Sequence, residues 1–174
     1  MKIIFRDTNP KLVAEIVSKF QDVPELTAEC VSIFAGSMKA DAIISPANCI
    51  GRMDGGIDGL YVHHFGWGLQ VNLSNLLSEK HGGRLEIGRA VSVPTGCSLI
   101  PLMISAPTMD WPPGDVSNTE NCFLAFRAAL LLAQSLRLKS IFTPGLGTLT
   151  GRMHPRECAK QMRAAWDDYI EIPF

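Results

Sequence analysis

With 174 residues, 47% of them apolar and 19% charged, the chain has the length and composition of one globular domain with a sizeable core. A formal net charge of -1 excludes the global basic field that recruits nucleic acid or an anionic membrane, so no specific nucleic-acid partner is expected. The longest apolar stretch, FLAFRAALLLAQSLRL, carries Arg127 and Arg137 and reads as a buried helix, so no membrane association is expected either.

The elements follow in chain order. KIIF at Lys2–Phe5 is a short β run. NPKLVAEIVSKF reads as a helix with Asn9 as N-cap and Pro10 in the first helical position. LTAECVSIF alternates as a strand from Leu26 to Phe34. DAIIS, Asp41–Ser45, is nearly all apolar, as a strand covered on both faces must be. A glycine loop follows, and then a helix over residues 59–77 with a break expected near Gly66–Gly68. RAVSVP and PLMISAP are two strands joined by too little chain for a helix, which leaves room for an antiparallel edge. Ser117-Asn118-Thr119-Glu120 is a capping-box pattern opening an apolar helix to Leu136. SIFTP is the last strand, followed by a second glycine loop, Pro144–Met153. Pro155 opens a final helix with Cys158, Met162, Ala165, Trp166 and Tyr169 on one stripe. Alternating strands and helices with apolar central strands predict a three-layer α/β/α sandwich around a mixed, largely parallel sheet.

Five scattered cysteines without a CxxC pair argue against a disulfide framework. The opening MKIIFRDTNPKLVAEI lacks a signal-peptide layout, so a reducing cytoplasmic location is expected. His63 and His64 project about 100° apart on a helix and do not converge on one ion; no metal site is expected.

The chemistry lies in the two glycine loops. In SPANCIGRMDGGIDG, four glycines fall within nine residues, and Asn48 and Asp58 mark the two ends. Each loop follows an apolar strand and precedes a helix, the place where open α/β sheets collect ligands. Helix N-termini offer unpaired N–H groups and a partial positive charge, which suit phosphate. Two such loops flanking one crevice suit a diphosphate. Neither loop matches GxxxxGK[ST] or GxGxxG, so no ATP or dinucleotide cofactor is expected.

ADAIISPANCIGRMDGGIDG resembles the first signature of macro domains, the ADP-ribose-binding modules, and PGLGTLTGRMHPRECAKQM is similar to the second. The resemblance runs from about Phe34 to Tyr169 in one domain over residues 1–174, with residues 1–33 as a βα addition at the start. It implies a protein that binds ADP-ribose or a derivative, including ADP-ribosylated protein, and hydrolyses ADP-ribosyl esters. It assigns catalytic roles to Asn48 and Asp58, ten residues apart beside the distal ribose. Ala47, Gly55, Gly56 and Ile57 would line the ribose and phosphate side. Gly145, Leu146, Gly147, Thr148, Leu149, Thr150 and Gly151 would wrap the diphosphate, mainly through amides. Pro107 opens the third ligand-side loop. Ser37 and Met38 stand where many macro domains have the Asp-Ile of a Gly-Asp-Ile, whose carboxylate accepts from the adenine amino group. Asp54 falls near the phosphates, where its charge is unfavourable unless it points away. The residues themselves leave other readings open: Asp58 as a plain helix cap, Asn48 as a tie between strand end and loop, and Trp111 with Pro112 and Pro113 as either a lid or an exposed loop. A non-catalytic reader of ADP-ribose is the alternative to an enzyme.

Overall fold

The computed structural model describes residues 1–36 and 39–172; Ser37 and Met38 lie outside them. The strands are β1 (Lys2–Arg6), β2 (Leu26–Glu29), β3 (Ala42–Ser45), β4 (Val91–Cys97), β5 (Ile100–Ser105) and β6 (Ser140–Thr143). The helices are α1 (Pro10–Lys19), α2 (Gly56–Phe65), α3 (Gly68–His81), α4 (Asn121–Ser135) and α5 (Pro155–Glu171). The sheet order is β2-β1-β6-β3-β5-β4. Every pairing is parallel except β4 with β5. This is the mixed, largely parallel sheet that the sequence predicts.

The central strands are apolar on both sides because each side meets a helical layer. Ala42 and Ile44 point into one core with Leu12, Ile16, Phe126 and Met162, from α1, α4 and α5. Ile43 between them points into a second core with Tyr61, Leu69, Leu73 and Leu77, from α2 and α3. All four residues of β3 are buried. Alternation along a buried strand therefore sorts side chains between two cores rather than between core and water.

Several boundaries differ from expectation. The helical stretch expected over residues 59–77 begins earlier, at Gly56, and runs on to His81, while the expected break falls at Gly66, whose φ of 91° no helix accommodates. β2 stops at Glu29 instead of Phe34. Its continuation is a loop held by the Arg6 guanidinium, which donates to Ala35 O at 2.7 Å and Ile33 O at 3.5 Å and pairs with Glu29. The capping box before α4 does not form: Glu120 is the cap residue and makes no side-chain bond. That turn is held by Asp115 Oδ1 accepting from Ser117 N and Thr119 Oγ1 accepting from Asn121 N. β1 lies inside the sheet, paired to β2 on one side and β6 on the other. Among the described residues no helix is long and apolar enough to cross a membrane.

Candidate functional site

β1, β6 and β3 are consecutive and parallel, so their carboxyl ends open on the same edge of the sheet. The segments leaving them, from Asp7, Pro144 and Pro46, line one cleft of about 400 Å³, a volume typical of small-molecule sites. Residues 54–58 form one wall and residues 144–151 the other, apart from Leu146. The walls approach closely: a Cβ built on Gly56 would lie 3.5 Å from Thr150 Oγ1 and 4.0 Å from Leu149 Cδ2. Those are ordinary van der Waals distances, so it is the φ of 56° at Gly56, and not crowding, that favours glycine there.

The first wall is an open helix start. Gly55 is the N-cap of α2 and supplies no side-chain bond. The first-turn amides of α2 thus face the cleft with the helix dipole behind them. The loop before it is braced from several sides. Asn48 Nδ2 donates to Arg52 O at 2.7 Å while its Oδ1 accepts from Arg52 N at 3.0 Å. Gln70 Nε2 donates to Gly51 O and Gln70 Oε1 accepts from Met53 N, both at 2.7 Å. Asp54 pairs with Arg52, which holds its carboxyl below the usual range through that hydrogen bond. The guanidinium offsets the Asp54 charge at the cleft wall.

The second wall is a compact loop, not a helix terminus. α5 starts beyond it, and its first turn is capped by His154, whose Nδ1 accepts from Arg156 N at 3.2 Å. The expectation that two helix N-termini meet in the crevice is therefore half fulfilled: α2 supplies one, and a loop supplies the other side. That loop is held by Met153 N donating to Gly147 O, Arg152 N to Leu149 O and Val116 N to Gly151 O. Within the cleft-lining residues 147–151 these bonds use carbonyls and not amides. Gly145 N, outside them, donates to Asp7 Oδ2 at 3.1 Å.

On the floor, Asp58 is 6% exposed and its Oδ1 accepts from Ser45 Oγ at 2.5 Å. Burial pushes its carboxyl up to about 7, with the Ser45 hydrogen bond pulling the other way. It sits inside the first turn of α2 and not at the cap. A carboxyl poised near neutrality in a cleft is suited to general acid–base work.

A macro domain family model matches residues 44–162, which include both glycine loops. The chain belongs to the macro domain family. An O-acetyl-ADP-ribose deacetylase of Salmonella gallinarum is 28% identical over 111 residues, covering 64% of this chain and 61% of that protein. The macrodomain of Mycobacterium tuberculosis DarG superimposes with a TM-score of 0.69 at 18% identity, over 82% of this chain and 90% of that one. The Oceanobacillus iheyensis macrodomain with ADP gives a TM-score of 0.67 at 20% identity, over 78% and 74%. At those identities the two structures speak for the fold.

Within this macro domain, Ala47, Asn48, Gly55, Gly56, Ile57, Asp58, Gly145, Gly147, Thr148, Leu149, Thr150 and Gly151 all line the cleft. Leu146 does not: its side chain is fully buried in the core. Pro107 is buried outside the cleft lining. Trp111 is 60% exposed and its neighbour Pro112 reaches the lining. Asp7, Thr8, Asn9 and Arg6 also line the cleft, and sequence reasoning missed them. The signal for Asp7 was an acid directly after the first apolar strand. Among the described residues, no three His, Cys, Asp or Glu side chains come together to hold a metal.

Proposed function

We propose that this macro domain binds ADP-ribose in the cleft and hydrolyses ADP-ribosyl esters such as O-acetyl-ADP-ribose or ADP-ribosylated protein carboxylates. The observation that carries this reading is the convergence of the two glycine loops over a buried Asp58. The diphosphate lies between the α2 first-turn amides and the amides of 147–151, where backbone donors and a helix dipole suit it. The adenine lies toward β1, where Asp7 supplies the carboxylate that the sequence lacked at Ser37. The distal ribose lies over Asn48 and Asp58. The deacetylase name of the Salmonella relative supports the ester chemistry.

In this reading a water between Asp58 and the acyl carbon gives its proton to the carboxylate as its oxygen bonds to that carbon. The bond from acyl carbon to ribose oxygen then breaks, and the ribose oxygen takes the proton back. A free acid and a ribose hydroxyl result, and Asp58 returns to its starting form.

One observation favours a second reading, a reader without turnover: both polar atoms of the Asn48 side chain are already engaged by the Arg52 backbone. Incubation with O-acetyl-ADP-ribose and with a mono-ADP-ribosylated glutamate protein separates the two. Turnover that disappears in Asp58→Ala supports the enzyme. Binding of ADP-ribose with neither ester consumed supports the reader.

A further inference from the structure

Ser45 is an unusual end to an apolar strand. It follows Ala42, Ile43 and Ile44, and it is fully buried. A hydroxyl in such a place is unfavourable unless it is hydrogen-bonded. Its Oγ donates to Asp58 Oδ1, thirteen residues on, at 2.5 Å. Its own carbonyl is used by the sheet edge, accepting from Ala106 N at 3.0 Å. The hydroxyl therefore has one evident purpose, the Asp58 carboxyl.

The surroundings leave that carboxyl with few other constraints. Tyr61, one turn further along α2, is fully buried, but its hydroxyl donates to Ile44 O at 2.9 Å. Asp7, from the end of β1, is engaged with Gly145 N and Asn9 N. The Arg52–Asp54 pair sits at the exposed mouth, each side chain 55% exposed. Only burial and Ser45 perturb Asp58. Among the described residues no side-chain polar atom is both buried and without a partner. Oδ1 is taken by Ser45, so Oδ2 is the oxygen that keeps contact with the cleft.

We propose that Ser45 is a positioning residue of this site: its O–H, donated to Asp58 Oδ1, fixes the carboxyl plane so that Oδ2 faces the bound ester, and it favours the carboxylate form that accepts a proton from water. The proposal rests on the hydrolytic reading above for its kinetic consequence, while the pairing itself is a property of the protein without ligand. A hydroxyl donated to a carboxylate stabilises the ionised state selectively, because a protonated acid needs that bond less. Removing the hydroxyl leaves Asp58 protonated over a wider range of pH. Restoring a hydroxyl at the same carbon restores the ionised state.

The test compares wild type, Ser45→Ala and Ser45→Thr in two measurements. Asp58 is titrated by carbonyl carbon nuclear magnetic resonance in the ligand-free protein, and kcat for O-acetyl-ADP-ribose is followed against pH. In Ser45→Ala the Asp58 midpoint should rise by about one unit. The acid limb of kcat should rise with it, so that the loss is about tenfold at low pH and fades at high pH. ADP-ribose affinity should be unchanged. Ser45→Thr should restore midpoint and limb toward wild type. An Asp58 midpoint identical in wild type and Ser45→Ala overturns the proposal, as does a uniform loss of kcat at all pH values. Wild type that hydrolyses nothing overturns the hydrolytic reading instead, and the resonance titration then decides the pairing alone.

Discussion

Asp7 and Gly145 are 138 residues apart in the chain, yet Asp7 Oδ2 accepts from Gly145 N at 3.1 Å. The contact exists because β1 and β6 pair in parallel and release both residues at the same edge. It ties the end of one strand to the start of the phosphate-side loop. It also places a carboxylate at the cleft wall beside the N-cap residue Asn9, whose amide donates to Asp7 Oδ1 at 2.9 Å.

Asp7→Ala should weaken ADP-ribose binding by about tenfold to a hundredfold, the range of a lost charge-assisted bond. Calorimetry measures the affinity, and circular dichroism checks that the fold persists. An unchanged dissociation constant would contradict the placement of the adenine near β1.

Gly151 packs where no side chain fits. A Cβ there would lie 2.5 Å from Val116 Cγ2 and 2.6 Å from Gly147 O. The carbonyl cannot yield easily, because it also accepts from Met153 N. Gly151→Ala should lower stability by about 2 kcal/mol, as overpacking does, and abolish ADP-ribose binding. Gly55→Ala, with open space around the new carbon, should leave urea unfolding nearly unchanged.

The Asp58 carboxyl, moved by burial from 3.8 to about 7, gives stability a pH dependence. Between those values the folded protein holds a proton that the unfolded chain releases, so stability falls as pH rises through the window. Asp58→Asn keeps an acceptor for Ser45 and removes the ionisation. Its unfolding free energy should match wild type near pH 4 and exceed it at about pH 8, by a few kcal/mol at most, at about 1.4 kcal/mol per unit. A wild type as stable as the variant at the higher pH would contradict the buried-acid assignment.

Asn48→Ala removes two hydrogen bonds to the Arg52 backbone. It should cost about 1–2 kcal/mol in denaturant unfolding. A much smaller effect would mean that Gln70 alone holds the loop.

What could be read in advance followed from local chemistry. Asn9 accepts from Lys11 N and Leu12 N, and Pro10 opens α1, as their types predict. The apolar run of β3 and the short link between β4 and β5 fixed their places for similar reasons. Long-range partners were not readable. Arg6 ends β2 early by taking the Ile33 and Ala35 carbonyls, a contact across 27 and 29 residues. Asp7 lies at the end of β1, far in sequence from the segment before β3 where the family's adenine-contacting acid would stand, and only the pairing of β1 with β6 brings it to the cleft. The burial of Leu146, within a loop of ligand-facing neighbours, depends on the core beneath it. The Ser45–Asp58 bond needed the turn of α2 over β3 before either residue implied the other.

The central claim is that residues 54–58 and 147–151 grip one ligand from two sides. Titrating isotope-labelled protein with ADP-ribose and following backbone amide resonances tests it most directly. The account predicts that amides of both segments shift together, along one saturation curve. Shifts confined to one segment, or absent from both at saturating ligand, would contradict it.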